Sequence, residues 1–594
     1  MNSLSISGKN WKLKKYNQDE ILYLKNTFSL DEITSKLLSI RKIKKEDINS
    51  FLNPSIKNFL PNPNNLVDMD KSTKRTVTSI IQKEKIGIFG DYDVDGATST
   101  ALLGKYFSEL NLSFEIYIPD RKKEGYGPSV KSFENLIKKG VKIIFTVDCG
   151  TLSFDAINFA KKNNIDVIVL DHHQSEINLP NAYSVVNPNR FDDKSNLQYL
   201  CAAGVTFMFL VSLNRELRSK KWFKQIQINE PYLINYLDLV SLGTVCDVVP
   251  LIGLNRAIVK QGLKILKSKK NLGLKTLLDI CKIENTPSIY HLGFMLGPRI
   301  NAGGRVGKCS HGANLLLNDD PKNAFKLASE LDQFNKERQM LEKDLLQKIL
   351  IETKEFLSDP VLVLSGKNWH EGIIGIVAAR LKDKFNKPVV IISIEGDIGK
   401  ASARSIVGFD IGSVIIAATQ NNILLRGGGH KMAGGFSIKI ENIEKFRDFI
   451  FRKFRNINED LSSEKPLYLD SVISPTAMNL DFYNKVNTLA PFGSGNPEPK
   501  FIIESLKTVN GKIVGDKHVK SILIGQDGSS IKTICFNAVE NDLGAYLLNK
   551  NNKTFNIAGK LSLNEWKGQS NVEFIIDDIS VNKTFKNTVP SSIG

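Results

Sequence analysis

Between residues 71 and 190, short apolar runs alternate with longer amphipathic segments. Ile86–Phe89, Phe114–Ile118, Val141–Val147 and Ile165–Leu170 have the length and composition of buried strands. Ala97–Leu110, Ser129–Lys139 and Phe154–Asn163 carry apolar residues at helical spacing. This rhythm predicts a parallel sheet covered by helices. Polar residues recur where the strands stop: Asp91, Asp93 and Asp95 after the first, Asp148 after the third, and Asp171, His172 and His173 after the fourth. Open α/β sheets place their sites at such carboxyl ends.

The rest of the chain reads in blocks. Residues 1–70 mix short helical pieces (Asp19–Leu24, Leu30–Ser39, Glu46–Phe51) with loop signals, and are expected to be an extension packed on the domain that follows. Tyr232–Leu251 reads as a helix followed by a turn carrying Asp247. Residues 253–320 are mainly helical in pattern but contain the glycine-rich stretch Gly297–Gly312, where a loop is expected. Pro321–Leu357 predicts a long connecting helix. Residues 360–455 start a second α/β unit, with strands at Val361–Leu364 and Val389–Ile392, a helix through Ile373–Phe385, and loops at Gly399–Asp410 and Arg426–Phe436. From 466 to 583, short alternating runs predict a small closed barrel; a five-stranded oligonucleotide-binding barrel fits. Trp566, Lys567 and Phe536 are its candidate contacts, Phe536 being equally compatible with core packing.

Composition narrows the class. The chain has 594 residues, 42% apolar and 24% charged, which suits several globular domains. No apolar run is long enough to cross a bilayer, and the N-terminus lacks the apolar core of a secretion signal. A cytoplasmic protein without a membrane role is expected. The six cysteines (149, 201, 246, 281, 309, 535) form no CxxC pair, which argues against disulfides and a zinc ribbon. A formal net charge of +17 suits a polyanion such as nucleic acid, although a Lys-rich background composition would give the same surplus.

The chemistry concentrates in DYDVDG (Asp91–Gly96). Three carboxylates at alternate positions repel one another unless a cation sits among them, and hard divalent cations take oxygen ligands. A turn in which one Asp caps the next helix explains one of the three carboxylates but not all. In the Gly297–Gly312 stretch Arg299, Asn301 and Arg305 can grip phosphate; a structural loop with solvated arginines is the alternative. In RGGGHKMAGGF, five glycines around His430 and Lys431 match a phosphate or oxyanion cradle; a tight turn is the alternative.

DYDVDG, VDCG, DHH and CDVVP, in that order, resemble the four motifs of the DHH phosphoesterase superfamily, and RGGGHKMAGGF resembles the signature of its DHHA1 domain. IPDRKKEGYG, GPRINAGGR, KASARS and APFGSGNPEP are similar to the bacterial RecJ family of single-strand-specific 5′→3′ exonucleases. The likeness spans roughly residues 10–585. It implies an α/β fold: a parallel-sheet DHH domain and a smaller α/β DHHA1 domain joined by a long helix, plus a C-terminal OB-type β-barrel. The implied divisions are an N-terminal extension (1–70), a DHH catalytic domain (71–260), a helical connector with the long helix (261–357), a DHHA1 domain (358–460), an OB-fold nucleic-acid-binding domain (461–585) and a tail (586–594).

By position, the resemblance implies that Asp93, Asp95, Asp148, His172 and Asp247 are ligands of two divalent cations, Mn²⁺ or Mg²⁺, with Asp148 bridging. Asp91 and Asp171 would orient these ligands from outside. His173 and Arg121 would hold the scissile phosphate, and Tyr126 would stack on or sterically select the strand. Arg305, Ser402 and Arg404 would bind the 5′-terminal phosphate, supported by Arg299 and Asn301. Gly428, Gly429 and His430 would form a cradle facing the metal site. Phe89 stands where many relatives carry a His that ligates metal in the pyrophosphatase branch, which implies a more open metal site and weakens a pyrophosphatase reading. The implied activity is two-metal hydrolysis of single-stranded DNA to 5′-mononucleotides, without a covalent intermediate, in DNA repair and recombination. Implied partners are a single-strand-binding protein and a RecQ-type helicase, and a monomer is expected. Two alternatives share the motifs: an oligoribonuclease or dinucleotide phosphodiesterase, against which the barrel argues, and a non-catalytic single-strand-binding replication scaffold, which would be expected to have lost ligands.

Overall fold

The structure is a computed structural model describing residues 4–121, 123–352, 356–456, 465–549, 554–566 and 569–581. After a first strand, β1 (Lys9–Leu13), the chain builds a parallel sheet from β2 (Ile86–Gly90), β3 (Phe114–Tyr117), β4 (Ile143–Val147), β5 (Asp166–Leu170) and β6 (Ser184–Val186), in the order β3-β2-β4-β5-β6. β2 and β4 are buried at every position, as strands covered on both faces must be. Ile86, Ile88, Phe145 and Val147 pack toward the helices Val94–Glu109 and Ala202–Ser219, while Phe89, Ile144, Val167 and Val169 pack toward Val130–Lys138 and Phe154–Lys162. The helix expected from Ala97 begins at Val94, because the Asp93 carboxylate accepts the Gly96 amide and caps it. β6 was not expected; its three residues are too short a run to carry a pattern.

The second sheet comprises β7 (Leu362–Lys367), β8 (Val389–Glu395), β9 (Ile398–Arg404), β10 (Arg426–His430) and β11 (Ala433–Lys439), in the order β10-β11-β9-β8-β7. Two expectations are corrected here. GKASARS and RGGGHKMAGGF are not loops: the first is mostly β9 and the second is the antiparallel hairpin β10–β11. Glycine weakens a strand on its own, but in-register pairing such as Gly428 with Gly435 and Gly434 with Ala403 supplies the ladder. Likewise Gly297–Val306 is a helix, anchored by the buried Ile300, Ala302 and Gly303. The long helix runs Pro321–Glu352 into the second unit.

The barrel uses β13 (Ser471–Ile473), β14 (Phe501–Val514), β15 (His518–Ile524), β16 (Ser530–Cys535), β17 (Phe555–Trp566) and β18 (Gln569–Ser580), preceded by β12 (Lys465–Leu469). β14 pairs with both β15 and β17, which closes five strands, and β13 adds beside β14. The N-terminal extension packs mainly on this barrel rather than on the domain that follows it in sequence. β1 pairs with β12, and Leu24, Leu37, Leu38 and Ile48 share a core with Phe501, Leu506 and Phe574. Only its end, Ile56, Phe59 and Leu60, turns to the first sheet's core. An amphipathic pattern defines a sticky face, not what covers it.

A buried arginine joins these parts. Arg256, on the helix Gly253–Lys267, donates to the carbonyls of Phe51 (2.9 Å), Leu489 (2.8 Å), Ala490 (2.9 Å) and Pro491 (3.2 Å). The next turn of chain, at Ser494, accepts from the Leu251 amide (2.8 Å), four residues after Asp247. Among the described residues no helix is long and apolar enough to cross a membrane.

Candidate metal centre and phosphate pocket

The carboxyl ends of β2, β4 and β5 bring their polar residues together, and a helix end completes the group. Asp93 caps the helix after β2, and Asp95 lies one residue into that helix, where its oxygens accept the Ala202 (2.6 Å) and Ala203 (3.0 Å) amides at the start of Ala202–Ser219. Asp148 follows β4 with a left-handed φ of 60° that turns it out of the strand. Asp247 ends the helix Leu237–Cys246. His172 stands at the centre: its Nε2 lies 3.3 Å from Asp148 Oδ1, 3.6 Å from Asp247 Oδ2 and 3.7 Å from Asp95 Oδ2.

Among the described residues, three overlapping sets have potential ligand atoms within 4.8 Å of one another: Asp95/His172/Asp247, Asp148/His172/His173 and Asp91/Asp93/Asp148. Asp91, expected in an outer role, therefore lies within ligand range. Its Oδ1 is buried and has no hydrogen-bond partner. Burial, with Asp93 beside it, pushes the Asp91 carboxyl up to about 8; burial, with Asp95 and Asp93, does the same to Asp247. Asp95 and Asp148 are also raised, by burial first. So many oxygens with so little positive charge among them is an arrangement that a divalent cation satisfies. The donor set of carboxylates and one or two imidazoles suits Mn²⁺ or Mg²⁺ better than a thiolate-seeking metal. Gly96 is required by this packing, since a Cβ there would lie 2.6 Å from the Asp91 carbonyl.

Asp171 behaves differently. Burial opposes its charge, but it accepts from His173 Nδ1 (2.7 Å) and from the amides of His172 (2.7 Å), Thr151 (3.1 Å) and His173 (3.2 Å), and its carboxyl is held below the usual range. Its partner His173, despite burial, is raised to about 9 by that bond. The Tyr126 hydroxyl donates to the Asp148 carbonyl (2.9 Å) and lies 3.3 Å from His173 Nδ1. Arg121 stands over the Tyr92 ring, 5.4 Å from its centroid.

Several supporting residues escaped sequence reasoning. Asn187 Nδ2 donates to Thr151 Oγ1 (2.9 Å) and to the His173 carbonyl (2.8 Å), and Asn189 Nδ2 donates to the His172 carbonyl. Both lie just past β6, so the short NPN run at a fourth strand end was the available signal. Phe89 adds nothing to the centre: it is buried on the opposite face of the sheet, stacked on Tyr117 (5.6 Å) and edge-on to Phe133.

A second cluster forms where the two units meet. Arg305 Nη1 donates to the Gly372 carbonyl (2.9 Å), and Arg404 Nη1 donates to Ser402 Oγ (3.2 Å) and the Ala403 carbonyl (2.8 Å). A Cβ at Gly375 would lie 2.8 Å from Ser402 Oγ and 3.1 Å from Arg404 Nη2, so only glycine leaves these groups room. Burial, then the neighbouring Arg121, Arg338 and Arg404, lowers Arg305 to about 10; Asp93 acts the other way. Cations crowded in this way could hold an anion. Arg299 is engaged elsewhere, pairing with Asp332 on the long helix (2.9 Å) and donating to the Met295 carbonyl. Asn301, in the same helix, is half-buried; no part in the cluster is assigned to it. Gly428, Gly429 and His430 lie on the exposed strand β10. In the barrel Phe536 is half-exposed, edge-on to His518. Lys567 and the Trp566 side chain lie outside the described residues.

Comparison with known proteins agrees with this architecture. The DHH family, N-terminal domain, matches residues 85–244, the DHHA1 domain 358–456 and the RecJ OB domain 469–578. The single-stranded-DNA-specific exonuclease RecJ of Haemophilus influenzae is 33% identical over 89% of this chain and 93% of its own length. That of Escherichia coli is 32% identical over 89% and 92%. The crystal structure of Thermus thermophilus RecJ in complex with Mn²⁺ superposes with a TM-score of 0.79 at 25% identity, covering 97% of this chain and 80% of that one; the Mg²⁺ complex gives 0.73. From its motifs, its fold and these likenesses, the chain belongs to the RecJ family of single-stranded-DNA-specific exonucleases.

Proposed function

We propose that this chain is a metal-dependent exonuclease that degrades single-stranded DNA from the 5′ end to 5′-mononucleotides. The observation that carries the reading is His172 Nε2 within 3.3–3.7 Å of three carboxylates from separate elements, in one chain with the Arg305–Ser402–Arg404 cluster. Asp91, Asp93, Asp95, Asp148, His172 and Asp247 would hold two divalent cations, Mn²⁺ or Mg²⁺. Such ions, when bound, activate water and neutralise charge on phosphoryl oxygens.

The remaining residues bind and orient the strand. His173, kept protonated by Asp171, offers a positive N–H to the scissile phosphate, where charge develops in the transition state. Arg121, braced on Tyr92, offers a second cation. Tyr126 covers His173 and bounds the space for the terminal nucleotide. Arg305, Ser402 and Arg404 take the 5′-terminal phosphate, which sets polarity and step length. The barrel holds the strand by charge and stacking, tolerant of sequence. In the cell, a cytoplasmic monomer would receive its strand from a RecQ-type helicase and a single-strand-binding protein during repair and recombination.

The test is a Mn²⁺-supplemented time course on three substrates: a 5′-phosphorylated single strand labelled at its 3′ end, the blunt duplex of that sequence, and a linear dinucleotide. Stepwise shortening of the single strand with the duplex spared is expected. Cleavage of the dinucleotide alone would overturn the reading in favour of a small-substrate phosphodiesterase.

A further inference from the structure

The turn that delivers Asp247 is strained, and a loop of the barrel lies against it. Val248, the next residue, has a φ of 60°. A β-branched side chain in the left-handed region is an outlier, because its Cβ crowds the following carbonyl. Val248 is also 69% exposed, so burial offers nothing in return. Such a conformation persists only where surrounding contacts over-determine it. Asp247 needs that turn to be fixed. The carboxylates of Asp93 and Asp95 are anchored by backbone amides, those of Gly96 and of Ala202 and Ala203. Among the described residues no group donates a hydrogen bond to the Asp247 carboxylate, so the backbone of the turn sets its distance of 3.6 Å from His172 Nε2.

What fixes the turn is the loop Gly493–Asn496, which leads into β14. It closes on itself through paired backbone bonds (2.9 and 3.1 Å), and Asn496 Nδ2 ties it to the carbonyls of Leu489 and Pro491. Arg41, from the N-terminal extension, donates to Asn496 Oδ1 (3.0 Å) and steadies it further. The Ser494 carbonyl accepts the Leu251 amide at 2.8 Å. The fit is close on either side of that bond: a Cβ at Gly493 would lie 2.7 Å from Leu251 Cδ1, and one at Gly495 would lie 3.0 Å from Pro250 Cβ. From the opposite side, Asn255 Nδ2 donates to the carbonyls of Pro250 (3.0 Å) and Tyr199 (2.6 Å). Pro250 and Leu251 are thus gripped between the loop and Asn255. With that end pinned and Cys246 held in its helix, few backbone paths join the two, and Val248 absorbs the mismatch.

We propose that the loop Gly493–Asn496 is a positioning brace for Asp247: by pinning Pro250 and Leu251 it keeps Val248 left-handed and the Asp247 carboxylate turned toward His172. The barrel then does more than hold a strand, since its entry loop completes the metal centre of another domain. The loop acts through Asp247 rather than on the metal or the strand. The proposal rests on the exonuclease reading for the cation that Asp247 would hold.

The test is a calorimetric titration of the full chain with Mn²⁺, without DNA, alongside thermal melting and cleavage of a 5′-phosphorylated single strand. Gly495→Ala sets a methyl group against Pro250 and an L side chain at a φ of 73°. One Mn²⁺ affinity is expected to fall by about ten- to a hundredfold, the range for groups that orient a metal ligand, and excess Mn²⁺ should restore the cleavage rate. Gly528→Ala is the control. It too lies in the barrel, at a φ of 81°, but nothing is within 4 Å of an added Cβ. It should lower the melting temperature comparably and leave every Mn²⁺ affinity unchanged. Val248→Asn supplies a rescue, since Asn tolerates the left-handed region: combined with Gly495→Ala it should regain most of the lost affinity. Should Gly495→Ala fail to fold, Gly493→Ala, which meets only Leu251, should weaken the same affinity to a smaller degree. Wild-type Mn²⁺ affinities in the variant that folds, or a loss that Val248→Asn does not relieve, would overturn the brace while leaving the exonuclease reading intact. Wild-type protein that binds no Mn²⁺ and shortens no strand would overturn both.

Discussion

His173 Nδ1 lies 2.7 Å from Asp171 Oδ1, a carboxylate held below its usual range while those of Asp91 and Asp247 are raised. The pair therefore carries the site's standing positive charge on an imidazole. In the metal-free chain His173 is raised to about 9, so the cation persists through neutral pH and is lost as pH rises past 9. Asp171→Asn removes the anion that sustains it. We expect a rate loss of roughly ten- to a hundredfold, with the alkaline limb of the pH–rate profile moving toward lower pH. A limb that stays in place would show that His173 is not the group that titrates.

Asp93→Asn should separate folding from chemistry. Asn caps a helix as well as Asp does, so the Gly96 bond and the fold survive. The lost ligand charge should reduce cleavage by about a thousandfold or more. Retained activity would remove Asp93 from the metal site.

The crowded carboxylates make metal binding a pH-dependent stabiliser. Asp91 and Asp247, raised to about 8, and His173, raised to about 9, all keep protons in the folded metal-free chain that the unfolded chain has released. Stability of the metal-free protein should therefore fall as pH rises from about 4 to 9. A divalent cation replaces those protons, so the rise in melting temperature on adding Mn²⁺ should be larger near pH 8 than near pH 6. Scanning calorimetry at the two pH values checks this, and an equal rise at both would count against a metal held by these carboxylates.

Arg404→Ala should act on the substrate's end rather than on the chemistry. Charge-assisted hydrogen bonds of this kind are worth about 1.5–3 kcal/mol, so the preference for a 5′-phosphorylated over a 5′-hydroxyl strand should shrink roughly tenfold or more, with the 5′-hydroxyl rate little changed. A loss that is equal on both substrates would place Arg404 outside the end-binding pocket.

Arg256→Met tests the join between barrel and first sheet. The carbonyls of Phe51 and Ala490 would lose a buried donor, at about 1–3 kcal/mol each, while Asn496 continues to serve Leu489 and Pro491. Urea denaturation should show a loss of about 3 kcal/mol. A loss under about 1 kcal/mol would mean that water or a neighbouring side chain replaces the guanidinium.

Local pattern was enough for a good part of this molecule. Buried parallel strands announce themselves as unbroken apolar runs, and carboxylates at alternate positions after such a run have few innocent explanations, so Asp91–Asp95, Asp148 and Asp171–His173 were legible as a site. Glycine-rich stretches misled, because β9, the hairpin β10–β11 and the helix Gly297–Val306 owe their form to neighbours that pair with or cover them. Asp247 carries no local mark; it becomes part of the site only because its helix ends beside Asp95 and His172.

What chain order and residue type decide alone are the sheet rhythm, the supply of metal-competent side chains and the family motifs, since these follow from periodicity and spacing within short segments. Tertiary structure decides which face meets which. It takes Arg299 to Asp332 and brings Asp91 within ligand range. It also lays residues 9–52 largely against a barrel more than four hundred residues away. These are long-range contacts, set by how surfaces compete for burial, and no short window of sequence contains both partners.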